Sequence, residues 1–136
     1  MSVRLTFREI ARAVHDVPLP HYDLILGIAR GGTVPASLIA YKLGCPLRTI
    51  RYSFRDDNNR PRHAAPRLLE AADLPIGASR ILLVDDVSVT GLTLRTARER
   101  LRGLDVTTLV LTGSADIVLF PDIQTCVDWP WNSPKA

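Results

Sequence analysis

Apolar side chains recur at helical spacing just after Thr6, where Phe7, Ile10, Ala11 and Val14 share one face. The Thr6 hydroxyl can cap the first turn and Glu9, three residues on, completes a capping box, so a helix is predicted to start there. The pattern then changes. Residues 23–29 (DLILGIA) form a continuous apolar run ending in Arg30-Gly31-Gly32, which predicts a buried strand leading into a loop of permissive backbone. Pro35 opens a second helical stretch over residues 35–43, with Gly44 where a left-handed cap is wanted. A strand over residues 47–52 follows. Residues 54–66 (FRDDNNRPRHAAP) are polar, proline-broken and aperiodic, which predicts a long exposed loop; loops of that length inside compact domains are usually functional or disordered.

After Gly77, residues 81–84 (ILLV) are apolar on both faces, as at the centre of a parallel sheet, and run straight into Asp85-Asp86. Residues 93–101 read as the next helix, Gly103 ends it, and residues 106–111 (VTTLVL) read as another strand. This alternation predicts one α/β domain over residues 1–136, a three-layer, Rossmann-like parallel sheet with right-handed crossovers. No internal repeat or linker interrupts it.

Composition narrows the class. A chain of 136 residues can bury about two thirds of its unfolded surface in one core. With 46% apolar and 23% charged residues it is neither disordered nor collagenous in type. The net charge of +3 is unevenly spread: Arg51, Arg55, Arg60, Arg62 and Arg67 fall in one polar stretch. Such a cluster attracts anions, or is a solvated loop, or binds nucleic acid, although no groove-reading motif accompanies it. Cys45 and Cys126 have no close pair and no histidine cluster beside them, so neither a zinc site nor a disulfide framework is expected, and a reducing cytoplasm fits. No apolar run reaches the roughly 18 residues of a membrane span. Arg4, Arg8, Glu9 and Arg12 charge the N-terminus where a signal peptide is apolar, so a soluble, unexported, cytoplasmic protein is expected.

The chemistry concentrates after the central strand. Ligands of open parallel sheets bind beyond the carboxyl ends of the strands, and here that end delivers Asp85 and Asp86 followed by Val87, Ser88, Val89, Thr90, Gly91, Leu92 and Thr93. Backbone amides turning into a helix N-terminus, with the Thr90 and Thr93 hydroxyls, make an anion cradle, and Gly91 allows close approach. Two carboxylates can hold ribose hydroxyls or a hydrated Mg²⁺. The plainer alternative is that Asp85-Asp86 caps a helix and Gly91 turns the chain.

The string ILLVDDVSVTGLT closely resembles the phosphoribosyl pyrophosphate (PRPP) signature of type I phosphoribosyltransferases. Two more segments are similar to the bacterial xanthine-guanine branch of that family. LGIARGGTVPASLIAYKLG, residues 26–44, is similar to its pyrophosphate loop and following helix, which would make Arg30, Gly31 and Gly32 pyrophosphate contacts. Ser53, Phe54, Arg55 and Arg60 lie in a segment similar to its flexible active-site loop, with Phe54 where Tyr is usual. Cys126-Val127-Asp128-Trp129-Pro130-Trp131 resembles the end of a small C-terminal hood, implying base contacts from Val127, Asp128 and Trp129.

The resemblance implies transfer of phosphoribose from PRPP to a base nitrogen with release of pyrophosphate, Mg²⁺ as cofactor, a purine-type acceptor such as xanthine, guanine or hypoxanthine, a place in purine salvage, and a dimer or tetramer. By carry-over Asp85 and Asp86 grip ribose and the metal, residues 87–93 hold the 5′-phosphate, and Arg55 and Arg60 close a lid. Departures from the family pattern all concern the acceptor. Val89 stands where the 6-oxopurine enzymes carry the Asp that takes the purine proton, Gly113 where a Lys donates to the 6-oxo group, and Cys126 where an aromatic ring stacks on the base. No catalytic base is therefore assigned. The alternatives are transfer to a non-purine acceptor, a non-catalytic PRPP or nucleotide sensor, and nucleic-acid binding through the arginine-rich loop. His15, His21 and His63 lie beside no motif and are expected to be solvated, and Asp56 and Asp57 to keep the loop soluble.

Overall fold

The computed structural model describes residues 2–53, 67–70 and 74–132. Helix α1 (Phe7–Asp16) begins as its sequence dictates: the Thr6 hydroxyl accepts from the Glu9 amide at 3.1 Å and the Glu9 carboxylate accepts from the Thr6 amide at 3.1 Å. Its buried stripe is narrower than predicted. Ile10 and Val14 are buried, whereas Ala11 is exposed and Phe7 is half exposed with its ring edge-on to Trp131. A surface helix needs only its i, i+4 positions against the core, so the flanking apolar residues stay outside.

A six-stranded sheet runs in the order β4 (Arg67–Glu70), β3 (Leu47–Ser53), β2 (Leu24–Ala29), β5 (Arg80–Ser88), β6 (Asp105–Gly113), β7 (Ile117–Val118). Five strands are parallel and β4 is an antiparallel edge. Helix α2 (Thr33–Leu43) starts two residues before Pro35, which sits in its first turn where a missing amide hydrogen costs nothing. Gly44 closes it at φ +67° with its amide on the Ala40 carbonyl.

Alternation within the strands sorts the core into two layers. Leu24, Leu26, Ile28, Ile81, Leu83 and Val110 pack with Leu94, Ala97 and Leu101 of the segment around α3 (Leu92–Arg100). Ile25, Leu82, Val84 and Leu109 pack on the other face with Val14 of α1 and Ala36 and Ile39 of α2. The expected three-layer α/β arrangement is present. Asp23, predicted as a strand residue, instead caps the neighbouring strand: its Oδ2 accepts from the Ser79 amide, the Ser79 hydroxyl and the Arg80 amide.

Three features differ from the sequence reading. Strands β5 and β6 extend to Ser88 and Gly113, because each continues to offer the other ladder partners, Asp85 opposite Val110 and Ser88 opposite Gly113. Ser53, expected in the mobile loop, is the last residue of β3 and pairs with Arg67. A separate two-stranded parallel sheet joins β1 (Ser2–Arg4) to β8 (Cys126–Asp128). Among the described residues no helix is long and apolar enough to cross a membrane. The predicted loop, with Phe54, Arg55, Asp56, Asp57, Arg60, Arg62 and His63, lies outside the described residues.

Candidate functional site

Strands β2 and β5 lie side by side, with Gly27 opposite Val84, so the loop leaving β2 meets the acidic end of β5. Gly31 and Gly32 permit that meeting. A β-carbon at Gly31 would stand 2.6 Å from Asp86 Oδ1 and nearer still to Oδ2 and Cγ. One at Gly32 would stand 2.7 Å from the Ile28 carbonyl oxygen and nearer still to that of Val84. Real β-carbons do not approach so closely, so only glycine fits beneath this contact. The Ala29–Arg30 peptide is cis, Arg30 is exposed, and its carbonyl accepts from the Thr33 amide at 3.1 Å.

Asp85 and Asp86 are adjacent near the end of β5, and their carboxyl groups lie close enough to interact. The Asp85 carboxylate accepts from the Asp86 amide at 2.8 Å, and the Asp86 carboxylate from the Val87 amide at 2.7 Å. Burial, reinforced by the charge of Asp86, pushes Asp85 up to about 8. A carboxyl so poised favours a cation or a ring of hydroxyl donors beside it. Among the described residues no group of three or more His, Cys, Asp or Glu assembles, so from these a divalent ion has at most this pair of carboxylates. That suits Mg²⁺, which is usually held by one or two carboxylates together with substrate phosphates and water.

The loop after β5 is an anion cradle in outline. Gly91 is left-handed at φ +77° and offers α3 no side-chain cap, so first-turn amides other than that of Leu92 are left to a ligand or water. The Thr90 hydroxyl accepts from the Leu92 amide at 3.2 Å, and the Arg95 guanidinium donates to the Thr90 carbonyl at 3.3 Å. Arg95 was not singled out by the sequence; its place, one turn into the helix after the glycine, is a signal that could have found it.

Beside the cradle opens a cavity of about 590 Å³ lined by Val87, Ser88, Val89, Thr112, Gly113 and Ser114 at the carboxyl ends of β5 and β6 and by residues 121 and 123–127 and Trp129 of the hood. Among the described residues no lining side chain is charged; Ser88 and Thr112 are buried, Val89 is 85% exposed. Val127 and Trp129, the expected base contacts, line the cavity. Asp128 does not: it is absent from the lining and its Oδ2 lies 3.4 Å from Arg4 Nε, because the residues of a strand alternate and the β1 pairing turns this one outward. Gly113 has φ +105°, and a β-carbon there would stand 2.8 Å from the Ser88 carbonyl carbon and nearer still to its oxygen. No residue with a side chain, a lysine included, fits that backbone. Thr112, Ile123, Gln124 and Thr125 were missed, since residues 119–125 carry no periodic pattern to place them. His15 and His21 stand away from the site beside Asp16 and Asp23, and both Cys45 and Cys126 are free thiols.

A family profile for the phosphoribosyl transferase domain matches residues 7–116, four fifths of the chain and nearly everything described above except the hood. The chain belongs to the phosphoribosyl transferase family. Among curated relatives, it is 36% identical over 93 residues to an orotate phosphoribosyltransferase of Sulfolobus acidocaldarius, a match covering 68% of this chain and 43% of that one. It is 33% identical over 111 residues to a bifunctional protein PyrR of Corynebacterium diphtheriae, covering 74% of this chain and 57% of that one. The chain thus matches less than two thirds of the length of either relative. Among solved structures, a purine phosphoribosyltransferase from Pyrococcus horikoshii Ot3 superposes with a TM-score of 0.79 at 24% identity, covering 99% of this chain and 97% of that one. That likeness fixes the phosphoribosyltransferase fold, hood included.

Proposed function

We propose that this chain binds PRPP and transfers its phosphoribosyl group to an uncharged heterocyclic base, releasing pyrophosphate. The observation that carries the proposal is the convergence, within contact distance, of the Gly31 loop on the Asp86 carboxylate, with the glycine-led start of α3 on one side and, on the other, a cavity whose described lining is uncharged. In this reading Asp85 and Asp86 grip the ribose hydroxyls, the backbone of residues 87–93 with Thr90 and Thr93 holds the 5′-phosphate, and Arg30, Gly31 and Gly32 receive pyrophosphate. Mg²⁺ held at Asp85 and Asp86 would offset the charge of the departing pyrophosphate. The chain's own contribution is orientation and preformed donors in place of water.

Relatives of this chain include both orotate and purine phosphoribosyltransferases, and the chemistry of the cavity favours a neutral acceptor. Orotate brings a carboxylate, and a buried charge without a partner is costly. Among the described residues the lining offers it no cation, whereas a 6-oxopurine such as guanine or hypoxanthine brings only neutral donors and acceptors that Ser88, Thr112, Gln124 and Thr125 can meet. Ring contact would come from Val87, Val89, Ile123, Val127 and Trp129.

A second reading rests on Val89. Its isopropyl group faces the cavity and cannot take a proton, which favours a protein that binds PRPP or a nucleotide without turnover. Its relative of 33% identity is described as bifunctional. The test is a pyrophosphate-release assay with PRPP and Mg²⁺ over guanine, hypoxanthine, xanthine, uracil and orotate, with the Asp85→Asn, Asp86→Asn double variant as control. Release with a neutral base that vanishes in the control supports transfer. PRPP binding without release from any base favours the sensor, and preference for orotate refutes the neutral-acceptor reading.

A further inference from the structure

The hood residues that wall the acceptor cavity take their strand partner from the chain's first residues. Ser2, Val3 and Arg4 pair in parallel register with Cys126, Val127 and Asp128, and the Leu5 amide donates to the Asp128 carbonyl at 3.5 Å. Among the described residues, neither strand of this small sheet joins the six-stranded one. Leu5 is 4% exposed and packs with Ile10, Leu111 and Trp129. Trp129 stacks on Trp131 at 5.2 Å with planes 5° apart, and Trp131 meets the Phe7 ring edge-on at 6.3 Å. Of the residues in these contacts, Cys126, Val127 and Trp129 line the cavity, and none of residues 2–7 does.

We infer that residues 2–5 are a positioning element for the acceptor: by holding β8 and Trp129 they set the wall that a base meets, without touching base, sugar or phosphate. The inference rests on the function proposed above. Its physical basis is that a three-residue strand has too few ladder bonds to hold itself, so the wall depends on the β1 ladder and on the buried Leu5 side chain. The sugar-phosphate half is built from β2, β5 and the loop into α3, none of which contributes a residue to the cluster around Leu5.

The test separates the halves with two kinds of probe. Ribose 5-phosphate reads the sugar-phosphate site alone, whereas GMP, IMP, UMP and orotidine 5′-monophosphate add a base. In calorimetric titrations of the wild-type chain, at least one nucleotide is expected to bind tenfold or more tighter than ribose 5-phosphate. Leu5→Ala, and separately deletion of residues 2–4, should cut that ratio below threefold while leaving ribose 5-phosphate affinity within twofold, and Leu5→Met should restore most of it. If Leu5→Ala does not fold, Leu5→Val takes its place with a proportionally smaller loss. An unchanged ratio in a folded Leu5 variant, a parallel loss of ribose 5-phosphate, or a wild type that gains nothing from any base overturns the inference. Failure of the wild type to bind either PRPP or ribose 5-phosphate is a different result, and removes the proposed function along with it.

Discussion

Gly31→Ala is the sharpest single perturbation of the site, because it adds one methyl where there is no room. The methyl carbon would stand 2.6 Å from Asp86 Oδ1 and closer to two other atoms of that carboxylate. Asp86 is short and its Oδ1 already accepts from the Val87 amide at 2.7 Å, so relief requires either breaking that bond or lifting the loop from β5. Overpacking by one methyl costs about 1–3 kcal/mol, and a hydrogen bond to a charged group is worth a similar amount. If the unrelieved strain appears at the PRPP site, affinity should drop roughly 5-fold to 150-fold. The matched control is Gly44→Ala, at a helix end with φ +67° and nothing within 4 Å of the added carbon. It should cost about 1 kcal/mol of stability from the left-handed backbone and leave PRPP affinity unchanged. Calorimetric titration of PRPP with Mg²⁺, paired with thermal melts, reads both. A Gly31→Ala protein that binds PRPP within twofold of wild type would refute the reasoning, since the loop would then not be seated on the carboxylate during binding.

Four further outcomes are expected. Arg95→Met should weaken ribose 5-phosphate and PRPP several-fold and flatten their salt dependence while leaving inorganic pyrophosphate unaffected, because its guanidinium braces the Thr90 carbonyl; equal loss for all three ligands would deny it that place. Asp23→Asn should lower the melting temperature at neutral pH: backbone amides of Arg80 and Ser79 hold Asp23 down at about 2, so its contribution is present above the ordinary carboxylate range and lost as pH falls towards 2, and a gap to wild type that persists at pH 2 would refute this. Asp85→Asn should raise the melting temperature near pH 8 while abolishing PRPP binding. Burial holds Asp85 up at about 8, so the cost of keeping it buried grows as pH climbs from the ordinary carboxylate range to 8, and equal melts of variant and wild type across that range would contradict the reading. Lys42→Met should loosen the end of α1, whose Val14, His15 and Val17 carbonyls all accept from the Lys42 ammonium, and faster amide exchange confined to that end checks it.

Local rules made much of the fold legible. The Thr6 and Glu9 capping box, the left-handed Gly44, and the doubly buried β2 and β5 each follow from a few adjacent residues, and each is found where those residues stand. Pieces decided by distant partners were not legible. Nothing in Ser2–Arg4 or Cys126–Asp128 alone predicts a strand three residues long; each exists because the other pairs with it. Strand β4 similarly depends on β3, and the two-residue β7 on β6. The family resemblance puts Ser53 in a flexible loop, whereas β4 across from it keeps it in the ladder.

The same division explains which half of the site could be read. A phosphate cradle is made mostly of backbone, and backbone needs are written in glycines: Gly31 and Gly32 mark a close approach and Gly91 a left-handed turn, wherever the rest of the chain goes. An acceptor pocket is made of side-chain surface brought from separate segments, and Thr112, Ile123, Gln124 and Trp129 become one surface only after β6 and the hood have folded together. Asp128 shows how a local reading fails there: its carboxylate suits a base amino group, yet pairing with β1 turns it to Arg4. Gly113 shows the converse, a residue that looks like a deletion of function and is instead required by its φ of +105° and its packing on Ser88. Among the described residues the cavity offers an acceptor neither a lysine at residue 113 nor the carboxylate of residue 128, only hydroxyls, an amide and apolar surface, which is why the proposed acceptor is a neutral ring.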